Sequence, residues 1–424
     1  MHLRTRRERA RPRYPRPALW VGGAFAGAAV LWTVIGIPTV VRYPTDLDVR
    51  PRYAGTFSLL VDPATAAPLA KPVVLPLAVD RHIEAIGDES GSSRVVVRET
   101  IHEVAGGLLD VTQTNQYVMD RSSVENVADD RAFAFEPANV VDRSGSYRLN
   151  LPFGTSRDNT YDVYKNEIAR TYRLVGDTRT PTSDVEGLHL SNFTARVDEA
   201  PLSRAYLTEL GKAVPLPASL SLDQMKPQLL AAGIDVDALL MALTPVLTPR
   251  DAATLSRFAA QPIPLTYVLS FRGNAAVEPV TGAEVRVSVS ESVGARPDLT
   301  SLPALQGVLS QYPGVPEAVA ARTALGELAG APAIPLFRYS YTQTTGSVAD
   351  IAATTRDMRR QVLTATVWLP RGLAAGAVVS LVAGAAVFLS RRSGPAGIAG
   401  RDEAPAAPPS DREREPATMG GGTR

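Results

Sequence analysis

Hydrophobic residues fall along this chain in two distinct patterns. In residues 18–41 and 372–390 they run on without a single charge, over 24 and 19 positions. About 20 predominantly apolar residues cross a hydrocarbon core as helix, so both windows predict transmembrane helices. Between them, short apolar runs alternate with polar positions, the period of strands with one covered face. Such runs occur at 56–61, 73–79, 95–104, 108–119, 132–135, 147–151, 161–164, 172–175 and 188–197. Turn formers separate them at Gly87-Asp88, Gly106-Gly107, Asp129-Asp130 and Ser144-Gly145.

From about 202 to 260 the period lengthens to that of helix. Segments 223–232 and 235–243 are rich in Leu and Ala, and Thr248-Pro249 supplies an N-cap followed by Pro at the first helical position. Strands return at 265–271, 284–289 and 336–342, with helices at 303–309 and 316–328 among them. Ser347-x-x-Asp350 reads as a capping box opening an amphipathic helix to about Trp368. The fold class is therefore α+β: a mostly antiparallel β-sheet domain over 42–346, with a helical insertion at about 202–260. A stalk helix over 347–371 joins it to the second span, and one transmembrane helix flanks it on each side.

Arginine counts orient the spans. Seven arginines lie in residues 1–17, before the first span, and only Arg42, Arg50 and Arg52 follow it closely. This places the N-terminus in the cytoplasm. Two spans return the tail, 391–424, to the same side and leave 42–371 extracytoplasmic. A cleaved signal peptide is the competing reading of the first window, with Ala24-Phe25-Ala26 as its small-residue site. The tail is rich in Pro, Ala and Gly and predicts disorder. Seven Arg and one Glu give residues 1–17 a charge of +6 and the tail carries +1; with +1 overall, the outer domain carries −6. The basic cluster is juxtamembrane, which fits topology and anionic lipid rather than nucleic acid.

The chain has no cysteine and four histidines, His2, His82, His102 and His189. Disulfides, thiolate metal sites and cysteine nucleophiles are thereby excluded. His102-Glu103 opens like a zinc-binding H-E-x-x-H, but position 106 is Gly. No nucleophile elbow and no phosphate-binding glycine loop occurs. Carboxylates neighbour one another at Asp46/Asp48, Asp129/Asp130 and Asp184/Glu186, as they do on any acidic surface. The reading is of a non-enzymatic chain with no metal site or cofactor, whose partners are membrane lipids and an envelope ligand. Both spans carry small residues four apart: Gly23 and Gly27 in the first, and Gly372, Gly376, Ser380 and Gly384 in the second. Such faces let helices approach closely, within one chain or between copies in a homo-oligomer.

One stretch carries a family signature. Tyr147-Arg148-Leu149-Asn150-Leu151-Pro152-Phe153-Gly154-Thr155 is followed by Tyr161, Tyr164, Tyr172 and Gly176, and closes with Val185-Glu186-Gly187-Leu188. With the Glu278-Pro279-Val280-Thr281-Gly282 turn and a span near each end, it resembles the actinobacterial PorA-type porin family. The resemblance implies an envelope protein of mycolate-type or related actinobacteria, in a family with some channel formers, and brings no catalytic residues. A single-chain outer-membrane barrel needs strands of about 9–11 residues and girdles of aromatic residues. The runs above are mostly shorter and aromatics are 6% of the chain. A pore would therefore come from oligomerisation rather than from one closed barrel.

Overall fold

The computed structural model describes residues 16–62, 68–87, 93–298, 302–328 and 330–392. The basic residues before Arg16, and the tail from 393 expected to be disordered, lie outside them. Residues Val30–Arg371 form one compact unit. The described residues of 16–29 and 372–392 form another.

Among the described residues of the larger unit, fourteen strands make one sheet. They are β1 (Asp48–Val49), β2 (Arg52–Val61), β3 (Pro68–Gly87), β4 (Arg94–Ala105), β5 (Leu109–Asp120), β6 (Phe133–Ala134) and β7 (Tyr161–Lys165). The rest are β8 (Arg170–Gly176), β9 (Thr182–Val185), β10 (Leu188–Pro201), β11 (Ser219–Leu220), β12 (Ile263–Val277), β13 (Glu284–Pro297) and β14 (Ile334–Gln343). The order β6-β5-β4-β3-β2-β14-β13-β12-β10-β8-β7 runs antiparallel throughout. The sheet curls into a half-barrel, and the segment after β5 bridges its gap. Val127 N donates to Val118 O on β5, Asn126 N to Ser146 O, and Tyr147 N to Asp162 O on β7, each at 2.9 Å. Backbone hydrogen bonds of the bridging segment thus reach both β5 and β7.

Many strands are longer than their apolar runs predict. β3 has 20 residues, β12 15, and β10 and β13 14 each. The expectation of mostly short strands is corrected. On the outer face Arg272, Asn274, Ser288, Ser290 and Ser292 continue the alternation with polar residues, so a reading by apolar runs cuts these strands short. The predicted strand at 147–151 is also corrected. Apart from one bridge from Tyr147 to Val163, this segment gives its backbone to the 278–282 turn, with Leu151 N donating to Gly282 O at 3.0 Å.

Helix α3 (Arg204–Ala213) packs Tyr206 and Leu210 into the concave face beside Phe57, Leu269 and Phe337. Helices α4 (Leu222–Ala231), α5 (Val236–Leu243) and α6 (Pro249–Ala260) share a separate core with α7 (Leu302–Leu309) and α8 (Pro316–Leu328), centred on Leu243, Leu255, Leu309 and Ala321. The helical insertion therefore draws on two stretches of chain. Thr248 caps α6 through Asp251 N, with Pro249 at its first position.

The chain is helical through α1 (Arg16–Leu31), a π-turn at Trp32–Gly36 and α2 (Ile37–Val40). It is helical again through α9 (Thr345–Leu363), a π-turn at Thr364–Trp368 and α10 (Leu369–Arg392). The Trp32 indole N–H donates to Ala365 O at 2.8 Å, joining the two π-turns. The capping-box expectation is corrected by one turn: Thr344 caps α9 through Ser347 N, while Ser347 Oγ instead accepts from Arg52 N at 3.0 Å. Ser347 sits where the helix leaves the end of β14, beside the start of β2, so it serves the strand rather than the cap. Among the described residues two helices are long and apolar enough to cross a membrane, Val21–Val40 and the one spanning Thr345–Ser390.

Candidate functional site

The concave face of the half-barrel holds an unusual density of buried charge. On β4 the inward positions read Val95, Val97, Glu99, Ile101, Glu103 and Ala105, so strand alternation carries two carboxylates inside. Burying a charge is costly unless it is paired. Glu99 is fully buried and meets Arg81 Nε at 2.6 Å and Arg148 at 3.5 Å, while Tyr117 Oη donates to it at 2.6 Å. Burial alone would raise its pKa; the Arg148 and Arg81 guanidiniums and the Tyr117 hydroxyl overcome that and hold it at about 2. Asn166 donates to Tyr117 Oη at 2.7 Å, and Arg143 donates to Asn166 Oδ1 at 2.9 Å while lying 4.5 Å over the Tyr117 ring.

A second cluster centres on Lys165. Its Nζ lies 2.9 Å from Glu291 and 3.3 Å from Glu167, and 4.7 Å from the centre of the Phe271 ring. Tyr339 Oη donates to the other oxygen of Glu291 at 2.6 Å. Burial works against the Lys165 ammonium, but the Glu167 and Glu291 carboxylates raise its pKa. Glu103 is pushed up to about 8, first by burial and then by the Glu291 and Glu167 charges. Between the clusters lies a cavity of about 90 Å³ lined by Tyr53, Arg81, Glu103, Arg148, Lys165 and Glu167 among others. A second of about 80 Å³ shares Tyr53, Arg81 and Glu284 with it and is closed by Ile351, Thr355 and Met358 of α9.

Toward α3 the concave face turns apolar. A cleft of about 40 Å³ lies among Leu59, Val214, Leu216, Met225, Leu265 and Phe337. The 214–217 segment, held by Tyr267 Oη donating to Pro217 O at 2.6 Å, forms one wall.

The convex face is the reverse. Thr56, Ser58, Arg98, Thr100, Thr112, Thr114, Arg338, Ser340 and Thr342 point outward, partly or fully exposed. A barrel in lipid must be apolar outside, so these strands are unsuited to face a bilayer. The histidines also lie on this surface: His82 against Asp48, His102 against Asp110 and His189 against Asp184, each at 2.9 Å. Asp129 pairs with Arg131 at 2.8 Å. The structure joins none of these carboxylates to the inner clusters. His2 lies outside the described residues.

The family-like motif has a structural place. Asn150 Nδ2 donates to Thr281 O at 2.9 Å, and Gly154 N to Val280 O at 3.1 Å, fastening the motif to the 278–282 turn. Glu278 accepts from Thr281 N and meets Arg359 of α9 at 3.1 Å. The Glu186-Gly187 turn, both residues at positive φ, offers the Glu186 carbonyl to Arg356 at 2.6 Å. Two parts of the motif thus grip one face of α9, where Val348 and Ala352 pack on Leu188, Leu190 and Val285.

In the smaller unit Gly22 is buried, with a Cβ position 3.2 Å from Leu381, and Gly376 sits 3.2 Å from the Phe25 ring in the same sense. The residue pairs run in opposite directions along the two helices, so α1 and α10 are antiparallel. Ser380 is half-buried and Gly384 buried on the side of α10 that carries Gly376. Gly23, Gly27 and Gly372 have no heavy atom within 4 Å of where a Cβ would stand.

Sequence reasoning passed over Arg81, Glu99, Lys165, Glu167 and Glu291, and met Glu103 only in an incomplete zinc-binding motif. The available signal was a carboxylate at two inward positions of the apolar β4 series, with Lys165 one of only four lysines in the chain. No curated protein matches the chain. The family model described as Porin PorA matches residues 17–386 of the 424, taking in both apolar helices up to Ala386 and the whole half-barrel, and the chain belongs to that family.

Proposed function

We propose that this porin-family membrane protein is a non-enzymatic, two-span component of the actinobacterial cell envelope, with both termini cytoplasmic and the half-barrel outside. The half-barrel is then a binding module for an amphiphilic or polymeric envelope ligand. One observation carries this reading: the sheet is polar on its convex face and filled by side chains on its concave face. A sheet built this way makes a receptor rather than the wall of a pore. Its apolar cleft, walled by Leu59, Leu216 and Phe337, has room for about one methyl-sized group and suits the end of a hydrocarbon chain lying over it. The arginine asymmetry about the first span supports the orientation.

The test is extraction. Full-length protein purified in mild detergent is expected to carry a stoichiometric amphiphile detectable by mass spectrometry. The half-buried Leu216 forms part of the cleft wall, so Leu216→Glu should lose most of it while retaining native circular dichroism. A wild-type preparation free of bound amphiphile, or a variant that keeps it, overturns the reading. A second reading, an oligomeric channel for small solutes, is favoured by the family match itself. On that reading the conducting path is made by helices of several copies, because the half-barrel interior is occupied.

A further inference from the structure

Five carboxylates face the inner clusters of the half-barrel: Glu99, Glu103, Glu167, Glu284 and Glu291. Four basic groups oppose them. Arg81 and Arg148 attend Glu99, Lys165 attends Glu167 and Glu291, and Arg143 is spent on Asn166 and on the carbonyls of Gln116 and Phe133. The carboxylates outnumber the basic groups by one, and in the amine-free protein burial favours a proton on Glu103. Two of the carboxylates, Glu103 and Glu284, border the 90 Å³ cavity with no hydrogen-bond or ion-pair partner among the described residues, and Glu103 is the more deeply buried, 7% exposed. Its cross-strand neighbours, Val79 and Val111, offer it no donor, and the Lys165 ammonium that lines the same cavity is bound to Glu291 and Glu167. Two further buried atoms, Arg148 Nε and Glu167 Oε2, have no hydrogen-bond partner among the described residues.

The surroundings narrow the occupant. Among the described residues no three His, Asp or Glu side chains are grouped to hold a metal ion. Aromatic rings are plentiful: Tyr53 and Tyr341 meet edge to face at 5.4 Å beside the cavity, and Phe271 already receives one ammonium, that of Lys165. Ring faces and a carboxylate without an ion-pair partner, in a cavity lined by four carboxylates and three basic groups, make a site for an organic cation. At about 30 Å³ for each water-sized group, 90 Å³ admits roughly three such groups. We propose that this cavity binds a protonated primary amine, with Glu103 as its counter-ion and the rings of Tyr53 and Tyr341 among its walls. The site is distinct from the apolar cleft and stands or falls independently of the amphiphile reading.

Methylammonium chloride is the probe, titrated calorimetrically into the full-length protein in detergent at constant ionic strength. Saturable binding is expected, at least tenfold stronger than for sodium. Glu103→Gln, which keeps the shape and removes the charge, should weaken it at least tenfold. Because that variant can fail to fold, a size series on the wild-type protein decides independently. Methylammonium should bind and tetraethylammonium, too large for the cavity, should not. Butylammonium separates sources: retained binding assigns the site to the amine end of a longer molecule, and lost binding to a small free amine. Methylammonium no better than sodium, equal binding of tetraethylammonium, or a folded Glu103→Gln variant that binds as tightly as wild type overturns the proposal.

Discussion

At the scale of single residues, Glu103 and Glu99 show how one strand can place the same side chain in opposite electrostatic states. They are four residues apart on the same face of β4. Glu99 has two guanidiniums and titrates at about 2, while Glu103 has none and titrates at about 8. Their effects on stability have opposite sign. The fold favours protonated Glu103, so its contribution is undiminished below the unfolded value of 4.5 and is lost as pH rises toward 8. The slope is at most about 1.4 kcal/mol per pH unit. For Glu99 the contribution is present above 4.5 and lost as pH falls toward 2. Thermal midpoints of the amine-free protein at pH 5 and pH 8 should therefore fall further in wild type than in Glu103→Gln. Parallel profiles would show that Glu103 ionises freely. The inner charges were only partly legible beforehand. A carboxylate in an alternating strand is visible as a pattern, but its basic partners come from β3 and from the 147–151 motif, 18 and 49 residues distant.

At the scale of elements, the order of strands and helices was largely legible, because their periods differ and Gly-rich turns separate them. Strand length was not. A polar outer face hides the continuation of β12 and β13 from any reading that follows apolar runs. The grip of the motif on α9 was also invisible, since it depends on Asn150 reaching a turn 131 residues away. Gly282 is central to that grip: its φ is +73°, and a Cβ there would collide with the Leu151 carbonyl. Gly145 has the same φ of +73° but open space around it. Gly145→Ala should cost about 1 kcal/mol, the price of a left-handed backbone alone. Gly282→Ala should cost more than about 2 kcal/mol and increase protease cleavage near Arg359. Equal losses in the two variants would mean that the motif does not hold the turn.

At the scale of the whole molecule, two kinds of apolar surface are separated along the chain. The half-barrel turns its apolar side inward and the paired helices expose theirs, with Val378, Val379, Val382 and Leu389 all open. The helices were plain in the sequence because a charge-free window needs no partner to be recognised. The curl of the sheet was hidden because it is made by distant pairings, such as Phe337 with Leu59, and by the bridging segment around Asn126 and Ser146. This division decides where ions would travel on the channel reading. The half-barrel offers a 90 Å³ cavity among fixed ion pairs, too small for a hydrated path. Any conductance recorded from full-length protein in a planar bilayer should therefore keep its step size in Glu103→Gln. It should disappear in Gly376→Leu, where the added side chain has to displace the Phe25 ring at 3.2 Å and part the helices. Steps that change with Glu103 and survive Gly376→Leu would move the path into the half-barrel, requiring the inner charges to open a continuous lumen that the ion pairs of Glu99 and Lys165 now close.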